Sequence, residues 1–109
     1  MTGCKRGTIV LLPFPFSDQS STKIRPAIVV SPDYPSDDWL VVAVTSVGDG
    51  LRPGEFAIQF WREAGLIHPS FAKRAVASVA GHLVRKQLGQ LRESDLVKLD
   101  AALGSWFGL

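Results

Sequence analysis

A single cysteine, Cys4, in a chain of 109 residues rules out an intrachain disulfide and any cysteine-based metal cluster. There are two histidines, His68 and His82. Neither belongs to a metal-ligand spacing, and each reads as a satisfied structural histidine. The chain carries no glycine-rich phosphate loop, no nucleophile elbow and no paired carboxylates, so the chemistries built on those motifs find no support. Long hydrophobic runs are absent as well. No segment approaches the roughly 20 apolar residues that span a bilayer. The apolar run at 9–16 is short and broken by Pro13 and Pro15, unlike the core of a signal peptide. Cytoplasmic is therefore the default expectation. No repeat or low-complexity segment interrupts the chain, and its length fits one domain, residues 1–109, with one core.

Acidic residues are scarce where basic ones gather. From Arg62 to Arg92 the basic residues are Arg62, Lys73, Arg74, Arg85, Lys86 and Arg92, against Glu63 alone. The acids are displaced to the Asp33–Asp38 turn and to the C-terminal region. The net charge of only +2 says little, but a one-sided basic face would attract a polyanion. A scattered, solvated surface is the other reading of the same residues.

What is present is β-rich. Thr8–Leu12 predicts a strand that Pro13 and Pro15 stop, and the polar stretch Phe16–Lys23 predicts a loop. Pro26–Ser31 and Trp39–Val47 are nearly continuous apolar runs, which predicts strands buried on both faces. A fourth strand is expected across Glu55–Phe60, with Phe56, Ile58 and Phe60 on one face, and a fifth across Ser70–Val79. Lys73 and Arg74 would point to opposite faces of that fifth strand. Gly81 breaks it, and Leu83–Leu91 reads as a short helical turn. Ser94 predicts a helix N-cap, Asp95 suits the positive end of the helix, and Gly108 predicts its stop. Leu96, Leu99, Leu103 and Trp106 recur at helical spacing as one apolar stripe, read as core packing. Five strands and a terminal helix predict a mainly β fold: a small, strongly curved antiparallel sheet or partly closed barrel.

Two residues stand out against that frame. Arg25 opens a buried, proline-led strand, where it loses hydration yet stays charged and so needs an anionic partner. A salt bridge to Asp18 or Asp33 would serve, and so would a phosphodiester whose developing charge the guanidinium stabilises. Thr45 and Ser46 close a strand otherwise built of valine, alanine and leucine. They are either ordinary strand-end residues or, if Thr45 meets Arg25 across adjacent strands, part of a small polar site. A threonine hydroxyl there can bond a phosphate or a ribose 2′-hydroxyl. Trp39, Trp61 and Trp106 read as core, although Phe16 and Trp61 lie near polar stretches and suit base stacking.

Taken in order, these residues resemble the MazF/PemK-like growth-inhibitor toxins over nearly the whole chain. Lys5-Arg6-Gly7 resembles the family's opening, and Pro13-Phe14-Pro15-Phe16-Ser17-Asp18 its PemK-like branch. Arg25-Pro26-Ala27-Ile28-Val29-Val30-Ser31 is similar to its second strand and Ala43-Val44-Thr45-Ser46 to its third. Gln87-Leu88-Gly89-Gln90-Leu91 and the closing helix fit its C-terminal end. The resemblance implies an SH3-like antiparallel barrel of the MazF/Kid/CcdB-like toxin fold with a C-terminal helix. It implies a homodimer, a type II toxin neutralised by a cognate antitoxin, and a cofactor-free, metal-independent endoribonuclease acting on single-stranded RNA. It maps the catalytic pair to Arg25 and Thr45. The RNA path maps to the loop residues Phe16, Asp18, Gln19, Ser20, Ser21 and Lys23, with Ser46 and Lys73 beside it. Some members carry an acid and an arginine on the fifth strand, where this chain has Ala75 and Ser78.

Arg25, Thr45 and the lack of any protein nucleophile motif together suggest attack by the ribose 2′-hydroxyl on the adjacent phosphate. The products would be a 2′,3′-cyclic phosphate and a 5′-hydroxyl. The proton acceptor stays open among a water, Asp18 and another residue. Two other readings remain: a CcdB-like poison of DNA gyrase acting through the apolar end Trp106-Phe107-Gly108-Leu109, and a non-catalytic nucleic-acid-binding module.

Overall fold

The computed structural model describes residues 4–13, 23–31, 37–46 and 51–109. In β1, Thr8–Pro13, the β-branched run favours extended backbone, and Pro13 closes it because proline has no N–H for the ladder. The other strands are β2 (Ile24–Ser31), β3 (Asp38–Thr45), β4 (Phe56–Ala57), β5 (Phe71–Ala80) and β6 (Lys86–Gln90), followed by α1 (Glu93–Phe107). They form one six-stranded sheet in the order β4–β5–β3–β2–β1–β6, with every pairing antiparallel. The sheet curls into a half-barrel with α1 against one side.

The continuous apolar runs do lie between two layers of core, as expected. In β3, Val41 and Ala43 join a cluster with Val10, Leu12, Ala27 and Val29, while Val42 and Val44 join Ile9, Ile28 and Ala72 on the other face. The helix closes this second face. Leu99 is fully buried there, and Leu96, Leu103 and Trp106 pack around it, so the predicted stripe is the packing stripe. Burying a leucine of this kind contributes about 2 kcal/mol. Gly108 adopts the left-handed conformation, at φ 71°, that ends the helix.

Three expectations are corrected. The region Leu83–Leu91 is not a helical turn: a 3-10 turn covers only Gly81–Leu83, and Lys86–Gln90 is a sixth strand paired with β1. Without it, the outer edge of β1 would lack hydrogen-bond partners. Gln90 strengthens the pairing by accepting from the Thr8 hydroxyl at 3.0 Å and donating to the Arg6 carbonyl at 2.9 Å. The helix starts at Glu93 with Arg92 at the N-cap, so Ser94 lies inside it and caps nothing. The fourth strand is only Phe56–Ala57, because the amides of Gln59 and Phe60 leave the sheet.

Those amides go to the helix. Asp95, fully buried, accepts from Gln59 N at 3.0 Å and from Phe60 N at 2.8 Å. Its placement in the first helical turn adds the favourable field of the helix N-terminus, and Lys98 Nζ stands 3.7 Å away. The chain then turns back: Ala64 N donates to Phe60 O and Leu66 N to Trp61 O. Gly65, at φ 87°, and Gly89 bring this turn against β6. A Cβ on Gly65 would overlap the Leu88 carbonyl, and one on Gly89 the Ala64 carbonyl.

Three predictions concern stability. Gly89→Ala is expected to lower the unfolding free energy by about 2 kcal/mol in urea denaturation, since backbone must move to admit the methyl. Gly104→Ala, where nothing lies within 4 Å of the added Cβ, is expected to raise it by about 0.5–1 kcal/mol. Asp95→Ala leaves both amides without their acceptor and is expected to cost about 3 kcal/mol. A loss for Asp95→Ala no larger than that of an exposed substitution such as Asp100→Ala would refute its anchoring role.

Candidate active site

The neighbouring ends of β2 and β3 hold the two singled-out residues. Ala27 pairs with Ala43, Ile28 with Val42 and Val29 with Val41. Two residues beyond the Ala27–Ala43 pair, β2 carries Arg25 and β3 carries Thr45. On its other side Thr45 pairs with Phe71 of β5, and Arg25 pairs with Leu12 of β1. Both residues are half-buried. The ion pairs among the described residues are Arg6 with Asp100 and Lys98 with Asp95, so none of them neutralises Arg25. Asp18 and Asp33, the salt-bridge partners considered from sequence, lie outside the described residues.

These strand ends open on a cavity of about 290 Å³. Leu11 of β1, Ile24 to Pro26 of β2, Val44 and Thr45 with the following Ser46, and Leu88 of β6 form most of its wall. The turn supplies the rest: Gly65, Leu66, Ile67, His68 and Ser70. Ser70 is buried; its hydroxyl donates to the His68 carbonyl at 2.7 Å, and its own carbonyl accepts from Ile58 N at 2.9 Å. The wall is thus largely apolar, with a guanidinium, two strand-end hydroxyl residues and an imidazole at hand. Such a cavity suits a ring or sugar beside a bound anion. A neighbouring depression is lined by Ser46, His68, Pro69 and Phe71.

Arg25, Thr45 and Ser46 therefore converge. Lys23 is exposed just ahead of β2 but is not among the residues lining the cavity, and neither is Lys73, which is exposed on β5. Phe16, Asp18, Gln19, Ser20 and Ser21 lie outside the described residues. Ala75 packs against the core and Ser78 is exposed, so β5 offers no acid at either position. The six basic residues of the Arg62–Arg92 stretch are all exposed, spread over the turn, β5, the approach to β6, β6 itself and the helix start. Arg62 stacks over Trp61 and Arg92 over Phe60, with 4.9 and 5.1 Å to the ring centroids.

Both histidines are exposed, where buried structural residues were expected, and His68 lines the cavity, which its spacing did not signal. The one local sign of it was His68-Pro69-Ser70, a proline and a small polar residue after an imidazole. Trp39 is core as expected; Trp61 packs against the core edge. Trp106 is committed to the core cluster, and its indole N–H donates to Gly54 O at 2.8 Å, leaving Phe107 and Leu109 as the exposed apolar end. No helix among the described residues is long and apolar enough to cross a membrane.

The family model for PemK-like, MazF-like toxins of type II toxin–antitoxin systems matches residues 5–107. No curated protein sequence matches the chain. Among solved structures, an endoribonuclease in complex with its cognate antitoxin from a mycobacterial species superposes with a TM-score of 0.76 at 16% identity, covering 100% of this chain and 97% of that one. MazF in the MazE–MazF structure from Deinococcus radiodurans gives 0.76 at 23% identity, with coverages of 97% and 96%. The Mycobacterium tuberculosis toxin MazF-mt6 gives 0.72 at 21% identity, with coverages of 94% and 97%. At these identities the likeness is one of fold.

Proposed function

Because the chain belongs to the PemK-like, MazF-like toxins of type II toxin–antitoxin systems, we propose that it is an endoribonuclease that cuts single-stranded RNA without a metal ion. The ribose 2′-hydroxyl attacks the adjacent phosphate, giving a 2′,3′-cyclic phosphate and a 5′-hydroxyl. Arg25 binds the phosphate and stabilises the charge that grows on it, and Thr45 orients the phosphate or the 2′-hydroxyl. The observation that carries this reading is a single cavity at the neighbouring ends of β2 and β3, lined by a half-buried arginine and a half-buried threonine. A guanidinium in that position stabilises a dianionic pentacoordinate phosphorus more than the monoanionic ground state, which is what acceleration requires.

Ser46 lies within reach of the same substrate, and the basic residues around the turn and β6 draw the RNA backbone. The loop residues Phe16, Asp18, Gln19, Ser20, Ser21 and Lys23, with Lys73, complete the proposed RNA path. Partners follow the same reading: a cognate antitoxin, as in the mycobacterial and Deinococcus structures, and a second copy of the chain. The exposed Ile24 and Ile67 at the cavity are apolar surface that either partner would cover.

The test is incubation with a long single-stranded RNA in excess EDTA. The wild-type protein is expected to give discrete fragments with 5′-hydroxyl ends, and Arg25→Ala to lower the rate by about 10²-fold or more. Thr45→Ala is expected to slow cleavage as well, and a single 2′-deoxy substitution at the cut site to block it. Cutting of an all-deoxy strand, or of RNA at an unchanged rate by Arg25→Ala, would exclude this mechanism.

A further inference from the structure

The reaction needs a proton acceptor. Of the described residues lining the cavity, Arg25 and His68 are the ones that ionise, and a guanidinium does not surrender its proton in a protein. No carboxylate among the described residues lines the cavity, and β5 carries Ala75 and Ser78 where relatives were expected to bring charge. We propose that His68 accepts the 2′-hydroxyl proton during RNA cleavage at the Arg25–Thr45 cavity, a role that rests on the endoribonuclease reading above.

The placement of His68 fits that task. It is exposed, so a bound strand can reach its ring, yet its backbone is held. On one side, Gly65 fits against the Leu88 carbonyl of β6. On the other, the Ser70 hydroxyl bonds the His68 carbonyl, and Ile58 N ties Ser70 to the start of the turn. Pro69 fixes the φ between them. His68 also lines the adjoining depression together with Ser46, next to the strand end that presents Thr45. A proton acceptor needs this combination of access and fixed position.

Among the described residues, the charged groups on the elements that line the cavity are mainly positive. Arg25 comes from β2, with Lys23 just before that strand; Lys86 of β6 pairs with Leu11 of the cavity wall. Its own loop adds Arg62 and Glu63. From β3 come Thr45 and Ser46, which carry no charge. An imidazole nitrogen can accept a proton, which a guanidinium cannot. As the O2′–P bond forms, the neutral ring takes the 2′-hydroxyl proton. The P–O5′ bond breaks with its electron pair on O5′, which takes a proton from water. The imidazolium returns its proton to the hydroxide left behind.

The experiment compares kcat/KM against pH for the wild-type chain, His68→Gln and Arg25→Ala on an oligonucleotide spanning a mapped cut site. Thermal midpoints and affinity for the uncleavable 2′-deoxy analogue are measured alongside. His68→Gln is expected to fold and bind as the wild type does, to lose about 10²-fold or more in rate, and to lose the wild type's fall in rate toward acid pH. The defect is expected to persist on a substrate with sulfur at the 5′-bridging position, whose departure needs no proton. Recovery on that substrate would overturn the base role by moving His68 to the leaving group. An unchanged rate and pH profile would overturn any proton-transfer role. Should the wild type and Arg25→Ala both leave RNA intact, the endoribonuclease reading falls and this role with it; if the wild type cuts and Arg25→Ala does not, a silent His68→Gln removes His68 alone.

Discussion

The two amides that Asp95 holds decide where the sheet ends and where the site begins. A carboxylate with no solvent exposure loses several kcal/mol of hydration, and only well-placed donors can offset that loss. Gln59 N and Phe60 N provide them, at the positive end of α1. Had those amides stayed in the ladder, β4 would have run on through Phe60 and no turn would have faced β6. Because they are taken by the helix, the chain folds back over Leu66, Gly65 meets the Leu88 carbonyl, and the segment that lines the cavity is fixed. One side chain of the helix thereby shapes a site that the helix itself does not line.

Arg25 is the opposite case. Its charge is half-buried, and none of the ion pairs among the described residues reaches it. Asp95 is desolvated with its donors supplied by the fold, whereas Arg25 stands at a cavity mouth where, on the proposed reading, a phosphate would neutralise it. The valines and alanines of β2 and β3, buried on two faces, fix the strands whose ends carry Arg25 and Thr45.

Much of this was legible from residue order. Runs such as Val41–Val44 can be buried on both sides only inside a layered sheet, and the Leu96, Leu99, Leu103, Trp106 stripe admits one helix face. The strands that hold Arg25 and Thr45 follow from the same runs. What escaped was set by contacts distant in sequence. Lys86–Gln90 has little β propensity and becomes a strand because the edge of β1 demands a partner. Phe56–Phe60 has the alternation of a full strand, but Asp95, far along the chain, captures its later amides. The N-cap moved because the helix begins where Leu91 leaves β6, not at the best capping side chain. His68 could not be found by spacing, since the partners that give it meaning lie on other strands.

The site therefore has two origins with different rigidity. Arg25 and Thr45 lie at the ends of two central strands, where displacement of either strand would disturb both core layers. His68 is positioned by a turn whose geometry rests on a few bonds and on two glycine contacts. A phosphate held at those strand ends would stay in place if the turn loosened, while the distance from the 2′-hydroxyl to the imidazole would not. On the proposed reading, binding and proton transfer would then be separable: damage to the turn, through Asp95 or Gly65, would weaken the chemical step more than the grip on RNA. The fully buried carboxylate, itself outside the cavity, would in that case serve the chemistry by holding one wall of the cavity still.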